Sequence, residues 1–121
     1  MFDVEGDKSK QLLTISYSGR VGADEMPFCV DKIKDSLADM EPGFRLLADF
    51  SKMELMDYAC GIYVKEIMRL CNARGVSAVT RVFPDAKKDI GLYIMSCFHY
   101  SPDVHIMTYE NLELAMQSLA A

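Results

Sequence analysis

The chain is short of most features that would announce a function. No apolar run approaches the roughly 20 residues that a membrane-spanning helix needs. It opens Met1-Phe2-Asp3-Val4-Glu5, with no basic stretch leading into an apolar core, so no signal peptide is expected. A cytoplasmic location follows as the default expectation. No two of the four cysteines stand in a CxxC pair, and no glycine-rich phosphate loop or GxSxG elbow occurs. The two histidines, His99 and His105, flank a turn with no cluster of further ligands, so no metal site and no cofactor are implied. No Ser/His/Asp or Cys/His arrangement can be assigned, so no catalytic residue is expected.

Charge of one sign is also missing as a patch. Lysine and arginine total 13 against 18 acidic residues, a net charge of −5. Lys87-Lys88 is only a pair, flanked by Asp85 and Asp89. A mildly acidic surface repels phosphate backbones, so nucleic acid is a poor partner.

What is present is an ordinary globular composition, with 50% hydrophobic and 26% charged residues. The 121 residues suit one domain spanning 1–121. A chain of this length buries roughly two thirds of its unfolded surface and needs no disulfide or metal staple. Three of the cysteines fall in apolar helical stripes and read as reduced, buried thiols. Cys60 is the exception.

The hydrophobic pattern alternates between period 2 and period 3.6. Phe2 to Val4 reads as a short strand, and Gly6-Asp7 as a turn. In Gln11 to Ser18, Leu13, Ile15 and Tyr17 share one face, and Gly19 ends that strand. Asp24 caps a helix that tolerates Pro27 in its first turn; Met26, Val30, Ile33, Leu37 and Met40 form its stripe, and Pro42-Gly43 stops it. Phe44 to Phe50 is a near-continuous apolar run suited to a strand covered on both faces. Ser51 to Asp57 reads as a loop. A second helix runs to about Ala73, with Gly75 after it. Val76 to Phe83 is a strand, Ala86 to Phe98 a helix along Ile90, Ile94, Cys97 and Phe98, and Val104 to Tyr109 a last strand. Leu112, Ala115, Met116 and Leu119 give a closing helix. Strands alternating with helices predict an α/β fold whose mixed, mostly parallel sheet has about five strands, with about four helices.

One segment invites a functional reading. Ala48-Asp49-Phe50-Ser51-Lys52-Met53-Glu54-Leu55-Met56-Asp57-Tyr58-Ala59-Cys60-Gly61 joins a buried strand to a helix. In open α/β sheets, ligands and partners gather at the carboxyl ends of strands. A helix start also offers free N–H groups to an anion, although Asp57 is placed to cap it. The nine methionines, Met53, Met56, Met68, Met95 and Met107 among them, can line an adaptable apolar pocket or simply fill a core.

This segment resembles the signature of STAS domains, the family of anti-sigma-factor antagonists. There, a strand ending Asp-Leu-Ser leads through a short apolar loop to Asp-Ser-Ser-Gly at a helix start. Asp49-Phe50-Ser51 matches the first part and Met56-Asp57 the approach to the second. Leu12 to Gly19, Gly75 to Phe83 and Tyr109 to Leu119 agree in layout. Ala59 stands where the family's phosphorylated serine falls, flanked by Tyr58 and Cys60, and Gly61 comes one residue late. Ala78 to Asp85 has the look of the divergent SpoIIAA-like branch.

The resemblance implies a single-domain SpoIIAA-like fold without the phosphoacceptor. It implies a non-catalytic regulatory module with a protein partner bound through Asp49, Ser51, Met53, Met56, Asp57, Tyr58, Ala59 and Cys60. The alternative is a carrier or sensor of a small apolar, lipid-like ligand, which leaves peripheral membrane proximity open. A remoter alternative is an enzyme with Cys60 as nucleophile at a helix N-terminus. An edge strand or apolar helix face is also able to pair two copies as a homodimer.

Overall fold

The computed structural model describes every residue except 86–90, 92–94, 97–98 and 121. The elements run β1 (Phe2–Asp7), β2 (Leu12–Val21), α1 (Met26–Leu37), β3 (Arg45–Met56), a 3-10 turn (Tyr58–Cys60), α2 (Gly61–Arg74), β4 (Ala78–Val82), β5 (His105–Tyr109) and α3 (Leu112–Ala120). The helix expected over Ala86 to Phe98, with Ile90, Ile94, Cys97 and Phe98, falls largely outside the described residues; Gly91, Met95, Ser96 and His99 within and beside it are helical. The fold is α/β, and three helices have full bounds among the described residues.

The five strands lie in the order β1-β2-β3-β4-β5. β1 is antiparallel to β2, and every later pairing is parallel. A hairpin makes the one antiparallel step, and helical crossovers allow the rest. The hairpin turn is Lys8 to Gln11 rather than Gly6-Asp7, which pair with Leu13 and Leu12 inside the ladder. Gln11 holds a positive φ of 50 there. Its side chain justifies the strain: the amide oxygen accepts from the Glu41 N–H at 2.6 Å and the amide nitrogen donates to the Lys8 carbonyl at 2.9 Å.

The sheet has two differently loaded faces. Leu13, Ile15 and Tyr17 of β2, Leu46 and Phe50 of β3, and Val79 with Phe83 face α1 and α2 in the main core. Tyr17 of β2, Phe50 of β3 and Phe83 just past β4 stack with centroids 5.3 and 4.5 Å apart, and the buried Arg81 guanidinium lies 5.4 Å from the Phe83 centroid. The alternate residues Leu12, Leu47 and Val82 form a smaller cluster with Ala115 of α3. β3 is therefore covered on both sides, as its apolar run predicts. The α3 stripe is only half used: Ala115 and Leu119 pack, while Leu112 and Met116 remain exposed.

Three local expectations need correction. α1 starts at Met26, so its N-cap is Glu25 and not Asp24, and no side chain caps it. The Glu25 carboxylate is instead held by the Gly22 N–H at 3.3 Å and the N-terminal ammonium at 3.1 Å. β2 does not stop at Gly19, whose φ of 62 bends the strand onward to Val21. Ser51 to Met56 is not a loop but the second half of the twelve-residue β3. β2 supplies its partner, pairing Ser18 with Lys52, Gly19 with Met53, Arg20 with Leu55 and Val21 with Met56. Gly75 does end α2, with φ 94, and a Cβ on it would meet Pro42 at 3.1 Å.

Candidate functional site

The site grows from the way β3 outruns its neighbour. β4 pairs with β3 only from Arg45 to Asp49. Pro84, two residues beyond β4, has no N–H with which to prolong a ladder. β3 continues along β2 alone, and its register against β2 slips by one residue after Asp49 and again after Met53. At the first slip the Asp49 carboxylate accepts the Ser51 N–H at 2.9 Å. The Asp-x-Ser pair therefore does structural work: Asp49 is buried and Ser51 half-buried, and both secure the bulge.

The strand ends at Met56, and the next residue, Asp57, donates its N–H to the Val21 carbonyl at 2.9 Å. Asp57 is the N-cap residue of the 3-10 turn, as its position suggests, but its side chain makes no capping bond. The turn lifts Tyr58 fully into solvent and feeds Gly61 and α2.

A groove of about 690 Å³ lies along this junction. Met53, Glu54, Leu55, Met56 and Asp57 form one wall, Tyr58 the corner, and Gly61, Ile62, Val64 and Lys65 the α2 wall, with Gly91 and Met95 beyond. Its rim is unusually apolar for a surface: Leu55 is 50% exposed and Ile62 69%. A Cβ on Gly91 would meet nothing within 4 Å. Charge on the described lining is confined to Glu54, Asp57 and Lys65.

Of the residues singled out in the sequence, Met53, Met56, Asp57 and Tyr58 come together in this groove. Asp49, Ser51, Ala59 and Cys60 do not line it. Ala59 is exposed beside Tyr58. Glu54, Leu55, Ile62 and Lys65 were not singled out. Leu55 stood inside the segment, and Ile62 with Lys65 follow the turn at helical spacing, which was the available signal. Among the methionines, Met95 joins the groove, Met68 is buried in the core and Met107 is exposed on β5.

Cys60 is fully buried, and its thiol donates to the Val21 carbonyl at 3.6 Å. Burial first, then the Asp57, Glu25 and Asp24 carboxylates, push its pKa up. That is the reverse of what an activated thiolate at a helix start requires. Cys29 and Cys71 are buried too, pushed up by burial to about 11 and about 12. Cys97 lies outside the described residues. His99 sits near Lys65 and Arg69, and burial with those cations holds its pKa below the ordinary value. His105 is exposed on β5. Among the described residues no three ligating side chains gather as a metal site, and no helix is long and apolar enough to cross a membrane.

No family model and no curated protein matches this sequence. Solved structures do match it in shape. An uncharacterised protein from Shewanella loihica PV-4 with a SpoIIAA-like fold superimposes with a TM-score of 0.72 at 12% identity, over 98% of this chain and 92% of its own. The Bacillus anti-sigma factor antagonist SpoIIAA, unphosphorylated, gives 0.65 at 15% identity over 100% and 99%. A chain from the Pseudomonas aeruginosa complex of the diguanylate cyclase SiaD with its activator SiaC gives 0.60 at 14% identity over 90% and 93%. The fold is thus STAS/SpoIIAA-like, in agreement with the sequence resemblance.

Proposed function

We propose that this protein is a non-catalytic regulatory module that docks a protein partner over the junction of β3 and α2. The observation that carries the reading is the exposed apolar set Leu55, Tyr58 and Ile62 around a groove of about 690 Å³. Large aromatic and aliphatic side chains held in solvent around a concavity are what a partner's anchors seek. Two similar folds come from structures of proteins that act through other proteins, an anti-sigma factor antagonist and a diguanylate cyclase with its activator. An anti-sigma factor or a signalling enzyme is the class of partner to seek. Ala59 has no hydroxyl, so a phosphate on that residue cannot gate docking. The buried Cys60, with its raised pKa, argues against thiol catalysis.

The test is affinity capture from the source organism with wild-type protein and with Tyr58→Asp and Met56→Glu. A partner retained by the wild type and lost by both variants supports the reading. Partners that survive both changes remove this surface from consideration.

The groove also favours a second reading, a carrier of a small apolar ligand. Its volume lies in the range of small-molecule sites, and Met53, Met56 and Met95 give it a pliant lining. Native mass spectrometry of the purified protein separates the two, since a carrier brings a bound lipid-like mass with it.

A further inference from the structure

The groove has one wall that a side-chain inventory overlooks: the bare edge of β3. Among the described residues, Lys52, Met53, Leu55 and Met56 pair with β2 alone, because β4 accompanies β3 no further than Asp49. The Ser51 N–H is answered by Asp49. Beyond it, no backbone bond from residues 52–56 toward the β4 side is made to any described residue. This edge extends for about 20 Å at strand spacing. Natural sheets cover, shorten or proline-block such edges, because unpaired N–H and C=O groups recruit another strand. Here the edge carries no proline; a bulge after Met53 interrupts it and Lys52 and Glu54 charge it, yet it borders the apolar groove.

We infer that the groove binds its partner by strand addition. The occupant is an extended peptide segment that pairs with residues 51–56 and drops alternate apolar side chains between Met53, Met56 and Ile62. The inference rests on the docking reading and specifies the partner's chemistry. Backbone groups in a row are complemented only by another backbone in a row; a helix or an acyl chain leaves them unpaired. Among the described lining residues, Glu54 and Asp57 on the strand wall outnumber the one cation, Lys65 of α2. The segment therefore carries a lysine or arginine on the side that meets Glu54 and Asp57.

The experiment selects peptides from a random display library on the intact protein and follows the best binder by amide hydrogen exchange. Enriched sequences should alternate apolar and polar residues, with a basic residue in common. Binding should slow exchange at the outward-facing amides among residues 52–56 by more than about tenfold. N-methylating alternate backbone nitrogens of the peptide should weaken it at least about tenfold, and Glu54→Lys severalfold. Failure to enrich any sequence, a consensus of helical period, or binding that leaves these amides unprotected overturns strand addition. So does a peptide-free, concentration-dependent dimer that protects the same amides, or a lipid that occupies the groove and blocks every peptide. A cellular partner lost in Tyr58→Asp that leaves the edge unprotected sinks strand addition alone. A peptide that protects the edge while every cellular partner ignores Tyr58→Asp and Met56→Glu sinks the docking reading alone.

Discussion

β3 is two strands in one. Its first half pairs on both edges from Arg45 to Asp49 and carries helices on both faces, so that Leu46 is 2% exposed and Leu47 2%. Its second half, Ser51 to Met56, pairs on one edge, and every residue in it keeps some exposure. Continuous backbone joins a segment that stabilises the domain to one that is free to meet something else. A strand paired on both edges has no spare backbone hydrogen-bonding capacity. One that outruns its neighbour has both capacity and exposed apolar surface. Function of the kind proposed belongs to the second half because the first has nothing left to offer.

The largest effect expected from this contrast is on the first half. Leu46→Ala removes a side chain packed in the main core and leaves a cavity there. It should cost about 2–5 kcal/mol, read as a lower urea midpoint with unchanged slope. If that variant unfolds like the wild type, the first half does not hold the fold and the contrast collapses.

Much of the core that packs around the first half was legible from residues alone. Leu13, Ile15 and Tyr17 share a core face, as their alternation requires. Met26, Val30, Ile33 and Leu37 are the buried stripe of α1, and Gly75 ends α2 in the left-handed region. These signals are local, arising from periodicity and from glycine's freedom at positive φ. The second half was not legible, for a reason equally physical. Ser51-Lys52-Met53-Glu54 has the composition of a loop and is a strand only because β2 bends past Gly19 to pair with it. Pairing between segments distant in sequence overrides local preference. The same blindness affected the site. Met53, Met56 and Tyr58 were named from the signature, whereas Leu55 and Ile62 needed the groove, which forms only when strand and helix meet. Asp49 and Ser51, named from the signature, secure the bulge and do not line the groove.

The thiols sharpen the comparison at intermediate size. Cys29 and Cys71, in the main core, have pKa values pushed up to about 11 and about 12 from 9.0. Below pH 9 both folded and unfolded chains keep these thiols protonated, so their contribution to stability is fully present. Above pH 9 the unfolded chain ionises first, and stability is lost progressively as pH rises toward 11 and 12. Burial also raises the pKa of Tyr17 and Tyr100, which adds to the loss at higher pH. Urea midpoints should therefore fall steadily between pH 9 and 11, and a flat profile would contradict the buried assignment. Cys60, where the second half turns into α2, differs in cause. The nearby Asp57, Glu25 and Asp24 carboxylates assist burial in raising its pKa, whereas burial acts alone on Cys71. Salt screens the carboxylates and does nothing to burial. Residue-resolved alkylation at mildly alkaline pH should accelerate with salt at Cys60 and not at Cys71.

The smallest expected effect on stability decides most about the second half. Leu55→Ala is the same chemical change as Leu46→Ala, nine positions along the same strand. Leu55 is already 50% exposed, and no core cluster includes it. Its truncation creates no cavity and frees no buried polar group, so unfolding should shift by no more than about 0.5 kcal/mol. If Leu55 is an anchor for a partner, the same variant should still lose affinity severalfold, because an interface that closes over it would desolvate what the free protein leaves wet. Unfolding by urea and binding by the captured partner are measured on one preparation. A variant that loses stability without losing binding would make residues 51–56 a core element that happens to be exposed. Stability retained with affinity lost is what a strand built to be covered by another protein must show.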